Sequence, residues 1–246
     1  MSIVTLLWPA FVLAILLVFI HTIFGLEIIK RGVIFTDLAI GQFAAIGVAI
    51  SLLLEGKYTF VLTLLFALIG AFLITLATYR IKHIEAFIGM LYALGSSAII
   101  VLLSNTTEGT ELFNKLQATD ILFTTPSDLL EPLFLYTTVA TLFYLFYHKL
   151  TGFYKEALFF GLLALTVTSS VQLAGVLVVF VLLIVPAFIS LLQTQFNSLP
   201  FAWTTGSLLI ILAMVFSYQL DLPTGYTIVF ITSFTGVLSA LIFEKK

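Results

Sequence analysis

The chain has 246 residues, of which 61% are hydrophobic and only 9% charged, with a formal net charge of -2 and no cysteine. Soluble domains carry about 25% charged residues, so a water-soluble globular fold is excluded, and a mean hydropathy of +1.23 points to lipid. The missing cysteine rules out disulfides, thiolate metal centres and thiol redox chemistry, and no basic patch exists to hold nucleic acid.

In chain order, the apolar runs predict membrane helices over Leu6–Ile28, Val33–Leu54, Tyr58–Tyr79, Ala86–Ser104, Pro132–Tyr147, Ala157–Ser170, Leu173–Leu192, Pro200–Gln219 and Thr224–Phe243. Residues 157–220 contain no Lys, Arg, Asp or Glu. As one straight helix they would run on the order of 96 Å, against a hydrocarbon core about 30 Å thick, so the stretch must cross roughly three times. Its polar interruptions, Ser169-Ser170 with Gln172 and then Gln193 to Pro200, are where turns are expected. The short run Ala157–Ser170 leaves open a merged or broken passage with the next span. The runs are continuous and do not alternate with period two, so barrel strands are disfavoured. Helices satisfy their own backbone groups and suit lipid. The expectation is an all-α polytopic bundle of about eight to nine spans, one domain over residues 1–246. The first run is expected to be a retained helix and not a cleaved leader, because no basic region precedes it and no small-residue cleavage signal follows.

Positive charge sets the expected orientation. The loops after spans one, three and five hold Lys30, Arg31, Arg80, Lys82, Lys149 and Lys155, and the tail ends in Lys245-Lys246; the loops after spans two and four hold only Lys57 and Lys115. The positive-inside rule then places the former loops and the C-terminus in the cytoplasm. The longest connection, Asn105 to Glu131, falls outside and carries Glu108, Glu111, Asp120, Asp128 and Glu131. It reads either as a solvated connector or as an acidic vestibule that concentrates cations.

Polar residues within the runs are the candidates for function. Asp37 lies in the first turns of span two, where a carboxylate is expensive unless it meets water or a partner. Asp37, Gly41, Ala45 and Ala49 recur every four residues and share a face, and small residues at that spacing let helices pack closely. Asp37 should therefore look into the bundle, with capping or pairing to Arg31 as the alternative. Gly89, Ala93 and Ser97 repeat the device in span four and make that helix a second interior element. Glu27 stands four residues before Arg31 and reads as its ion-pair partner. His21, deeper in span one, reads either as an interhelical hydrogen-bonding group or as a cation ligand. His83 and His148 flank loops as interfacial residues. No H-E-x-x-H or G-x-x-x-x-G-K occurs, nor a G-x-S-x-G elbow. No catalytic residues are expected, the chain should not be an enzyme, and any energy source must be another subunit or an ion gradient.

Several segments, in order, resemble one family. His21–Gly47, with HTIFGLEIIKRGVIFTDLAIGQFAAIG, resembles the first two helices of the zinc/manganese permeases of ABC importers. Glu85–Glu111 resembles their next signature helix and external loop, and Asp120–Leu129 (DILFTTPSDL) their re-entry segment. TVTSSVQLAGVLVVFVLLIVPAF, Thr166–Phe188, is the most specific match, with its reversal at Gly175 and its Pro186; SYQLDLPTG, Ser217–Gly225, is similar to the last external turn.

The resemblance implies a multi-pass permease of the cytoplasmic (inner) membrane, set in lipid as a homodimer or as one of a pair, with the path between subunits. A cytoplasmic ABC ATPase would use ATP to drive alternating access, and an external metal-binding protein would deliver the divalent ion. No permanently bound cofactor is implied. Asp37 matches the family's carboxylate in the second helix. Where many members place a histidine one turn later this chain has Gly41, with Gln42 beside it, about 140° around an ideal helix from Asp37. Asp37, Gln42 and His21 are the path candidates, and carboxylate and imidazole suit Zn²⁺ or Mn²⁺. Glu108 stands where a histidine is common in the external loop, with Glu111 close by. Lys149, Lys155 and Glu156 are the candidates for ATPase contact, on a cytoplasmic stretch shorter than in relatives. Gly175 and Pro186 are candidate gating bends, since proline removes a helix hydrogen bond. The short stretch leaves one alternative, an ATP-independent channel or proton-coupled carrier on the same fold.

Overall fold

The computed structural model describes residues 3–104, 106, 109–119 and 121–243. Among them are ten α-helices and no strand: α1 (Ile3–Arg31), α2 (Thr36–Leu53), α3 (Thr59–Arg80), α4 (Ile84–Leu103), α5 (Gly109–Gln117), α6 (Leu130–Phe146), α7 (Gly152–Ala174), α8 (Val176–Leu191), α9 (Ser198–Leu220) and α10 (Thr224–Phe243). Short 3-10 turns at Ile121–Phe123 and Pro126–Leu129 join α5 to α6. Eight helices are long and apolar enough to cross a membrane, and α8 is a shorter apolar one. The all-α polytopic expectation is met, and the chain is a multi-pass membrane protein.

α2 is the axis of the bundle. It lies against α3, α4, α7 and α8, and nearly every side chain from Thr36 to Ala49 is buried. The face of Asp37, Gly41, Ala45 and Ala49 faces inward as its spacing requires; a Cβ on Gly41 would meet Val176 and Val171 of α8 and α7. The matching expectation for α4 is corrected. Gly89 has open space around it, and Ala93 and Ser97 are exposed. α4 instead buries Ile88, Leu91, Gly95, Ile99 and Leu103, with Gly95 seated on Gln42 of α2. The larger side chains gain more from burial, so they, with one glycine to permit approach, choose the packing face.

The turn expected at Ser169-Ser170 and Gln172 is also corrected. α7 runs unbroken through them to Ala174. Ser170 donates its hydroxyl to the Thr166 carbonyl (2.6 Å) and lies 3.2 Å from the Tyr136 hydroxyl of α6. A hydroxyl that bonds back to its own helix needs no turn. The break falls at Gly175, the one residue between α7 and α8, with φ +87°. A Cβ there would lie 2.7 Å from the backbone of Gln117 and Ala118, so this junction is reserved for glycine on both counts.

Packing fixes the relative directions. Gly175 and Gly225 both rest on Ala118, and Gly236 of α10 rests on Val185 of α8. α8 and α10 therefore start at one level and run the same way, with α9 returning between them. The ends of α1, α3 and α6 meet the starts of α4 and α7 at one pole, around Arg31, Thr78, Ile84, Tyr147 and Lys155. Ala118, Gly175 and Gly225 lie at the opposite pole. Lys30, Arg31 and Lys155 thus gather at a basic end.

Candidate functional site

Asp37 is the second residue of α2, in its first turn. It is 2% exposed, and neither carboxylate oxygen has a hydrogen-bond partner. The helix N-terminus favours negative charge there, but no cation is paired with it. Arg31, the alternative partner, engages Glu156 and Tyr147 instead.

His21 is wholly buried in α1. Its Nδ1–H donates to the Leu17 carbonyl at 2.7 Å, and Nε2 has no partner. Because a carbonyl can only accept, the neutral ring carries its proton on Nδ1 and presents a bare lone pair at Nε2, the state in which imidazole binds cations. One turn along α1, Gly25 sits on Leu183 and Ala187 of α8. The adjoining Phe24 packs edge-on to Phe143 of α6 and Phe159 of α7. His21 is therefore aimed toward the α7–α8 pair from the α1 side. Asp37, one turn from Gly41, is aimed at the same pair from the α2 side.

Gln42 is also fully buried, with both amide atoms unpartnered. Its Cβ lies 2.7 Å from where Gly95 would carry one, so it points to α4. The structure thus directs Asp37 and His21 toward one pair of helices and puts Gln42 on a different side of α2. No group of three or more metal-capable His, Asp or Glu side chains occurs among the described residues.

The remaining candidates are placed as follows. Glu111 is exposed and pairs with Lys115 at 2.7 Å; that hydrogen bond and charge hold its carboxyl below the usual range. Asp128 closes a capping box, accepting from the Thr125 N–H and hydroxyl, each at 2.8 Å. Glu108, Asp120 and Lys245-Lys246 lie outside the described residues. Lys149 is exposed, and Lys155 lies 4.6 Å from the centre of the Tyr147 ring. Pro186 is buried inside α8 against Gly206 of α9.

Sequence reasoning missed the network at the basic end. Glu156 is engaged by Arg31, whose Nη2 donates to the Tyr147 hydroxyl at 2.8 Å; that hydroxyl donates in turn to Glu27 at 2.7 Å. The expected Glu27–Arg31 pair is replaced: Glu27 takes Lys30 at 3.1 Å, because α7 offers Arg31 a better-shielded carboxylate. Burial, then the bond to Glu27, push the Tyr147 hydroxyl above its ordinary value and keep it a donor. Nothing in local spacing could reveal a pair so far apart in sequence. The one available signal was that Glu156 is the last charge before the uncharged stretch.

Residues 153–243 match the ABC 3 transport family. They contain the Thr166–Phe188 and Ser217–Gly225 segments, so the permease-family resemblance stands. Over its whole length the chain shares its fold with a chain of PsaBC from Streptococcus pneumoniae, solved in complex with Fab: TM-score 0.78, 22% identity, covering 96% of this chain and 91% of that one. A metal-chelate type ABC transporter in an inward-facing conformation superposes with TM-score 0.68 at 16% identity, over 96% of this chain and 82% of the other. No curated protein matches. From α1 to α10 the chain shares the fold of these two structures.

Proposed function

We propose that the chain is the permease subunit of an ABC importer for a divalent transition metal ion of the zinc/manganese class, working as a homodimer. One observation carries the metal reading: the Asp37 carboxylate, buried in the central helix with no partner. An unpaired buried carboxylate is destabilising by several kcal/mol, and such groups inside membrane proteins mark ion and substrate routes. A passing cation satisfies it. The unprotonated Nε2 of His21, directed at the same helix pair, supplies a second donor of the type that suits Zn²⁺ or Mn²⁺. Two donors on separate helices bind less tightly than a closed structural site, which suits release.

In this reading the basic end faces the cytoplasm, as the positive-inside rule requires, and the membrane is the cytoplasmic (inner) one. An external binding protein delivers the ion, and a separate ATPase contacts the basic end. Lys149 and Lys155 are available there. A second surface is the α8–α9 connection, where Gln193 accepts from the Phe196 N–H at 2.8 Å and donates to the Phe196 carbonyl at 2.9 Å. That clamp stiffens the loop and presents Phe196, stacked on Phe201. The chain itself performs no chemistry on its cargo.

Metal-resolved uptake in vesicles, with the ATPase and with and without ATP, tests the reading. Asp37→Asn should abolish ATP-dependent uptake of Zn²⁺ or Mn²⁺ while leaving insertion and assembly intact. Wild-type rates in that variant would remove Asp37 from the mechanism, and uptake that follows a proton gradient without ATP would replace the importer by a carrier.

A further inference from the structure

On the side of α1 turned away from α8, a groove of about 460 Å³ opens between α1, α6 and α9. Its α1 wall is Leu16, Phe19, Ile20 and Ile23. These lie about 120–180° around an ideal helix from Gly25, the residue seated on α8. Trp203 of α9 forms another wall: its ring stacks on Phe19 with centres 4.9 Å apart, and its Nε1–H donates to the Phe19 carbonyl at 3.1 Å. Thr137 and Thr141 of α6 also line the groove. Their hydroxyls donate to carbonyls of their own helix, those of Leu133 and Thr137, at 2.7 and 2.8 Å. These polar groups are thus spent within the protein, and what they leave to an occupant is hydrocarbon. From Thr137 to Leu145 the groove runs about 12 Å along α6, close to one leaflet of a hydrocarbon core about 30 Å thick.

The groove ends in cations. Thr137, Thr141 and Leu145 recur every four residues, and the next position in that series is Lys149, exposed on the turn that follows α6. On α1, Lys30 stands seven residues after Ile23, two turns along the same stripe, and is also exposed. Both belong to one mouth. The Tyr147 hydroxyl, two residues before Lys149, donates to Glu27 Oε2 at 2.7 Å, while Lys30 donates to Glu27 Oε1 at 3.1 Å. An exposed pair of this kind is weak, and it leaves other donors of the Lys30 ammonium for a second anion. We propose that the groove holds an anionic phospholipid from the leaflet at the basic end, with one acyl chain against Phe19 and Trp203 and the phosphate between Lys30 and Lys149. Basic side chains where membrane helices end draw anionic head groups, and a neutral head group gains nothing from two lysines. A partner subunit is not the occupant: in the permease reading it stands on the Asp37 side, with α8 and α1 in between. The lipid site goes beyond that reading, and its test needs no transported ion.

Native mass spectrometry of the full-length protein reads the preference, after release from nanodiscs holding equal amounts of phosphatidylglycerol and phosphatidylcholine with identical chains. One phosphatidylglycerol should stay on each subunit, at an occupancy about tenfold above that of phosphatidylcholine. Lys30→Gln combined with Lys149→Gln should bring that ratio near one. Lys57→Gln, ahead of α3 at the opposite pole, should leave it unchanged. Ala140→Phe, which fills the groove from the α6 wall, should remove the retained lipid of either kind. Inorganic phosphate in excess should not displace it, because the acyl chain supplies part of the hold. A wild-type ratio near one, an unchanged ratio in the double lysine variant, or an equal fall with Lys57→Gln overturns the proposal. So does displacement by phosphate, which would make this a site for a free anion. Loss of dimer mass in Ala140→Phe would make the groove a subunit interface and overturn it as well. Where Ala140→Phe fails to fold, the exposed lysine variants decide alone. Failure here leaves the Asp37→Asn uptake result untouched, so the two readings fall separately.

Discussion

The two ends of α7 are fastened by different means. At its Gly175 end, Thr119 donates its N–H to the Ala174 carbonyl at 2.9 Å, and the backbone of Gln117 and Ala118 lies directly on Gly175. At its Glu156 end Arg31, Glu156, Tyr147 and Phe159 meet through side chains. A backbone joint seated on glycine has one geometry and no rotamers, so it is either formed or broken. A side-chain tie can be released by turning a few χ angles. α7 thus has a fixed backbone joint at its Gly175 end and a side-chain tie at its Glu156 end.

Breaking the joint at Gly175 should have the largest effect. Gly175→Val combines a positive φ, itself worth about 1–3 kcal/mol of strain, with overlap against fixed backbone. It should abolish recovery of folded protein by size-exclusion chromatography, and normal yield and stability would show that the joint gives way. Next is Asp37→Asn, which leaves packing alone and should remove transport; full uptake would mean that the buried carboxylate serves the fold only. Pro186→Ala restores one helix hydrogen bond and should raise the melting temperature by a few degrees, on the order of 1 kcal/mol, while slowing uptake. A faster transporter would deny Pro186 a role in bending. Smallest is Glu111→Gln in α5: its pair with Lys115 is exposed and should leave both melting temperature and uptake unchanged. A clear loss of uptake would instead make that helix a docking surface for the binding protein.

Much of this was legible in the sequence, for identifiable reasons. The spans follow from apolar length, and the inward face of α2 follows from the four-residue spacing of Asp37, Gly41, Ala45 and Ala49. Gly175 carried its own sign as the one glycine in the Thr166–Phe188 segment. Ser169-Ser170 misled because polarity alone does not say whether a hydroxyl faces a turn or bonds its own helix. Gly89, Ala93 and Ser97 misled because small residues permit close approach without compelling it. The Arg31–Glu156 tie lay beyond reach, since only the folded bundle brings α1 and α7 together. Gln42 divided the difference: its angular separation from Asp37 was readable, but its seat on Gly95 was not.

The carbonyl of Leu17 has a consequence for what His21 can carry. A proton wire would require the imidazole to accept on one nitrogen and surrender from the other, turn by turn. Here one nitrogen is already committed to a main-chain oxygen that has no proton to return. The ring can lend its electron pair to a cation drifting past and take it back unchanged, whereas relaying hydrogen would first oblige it to let go of its own helix.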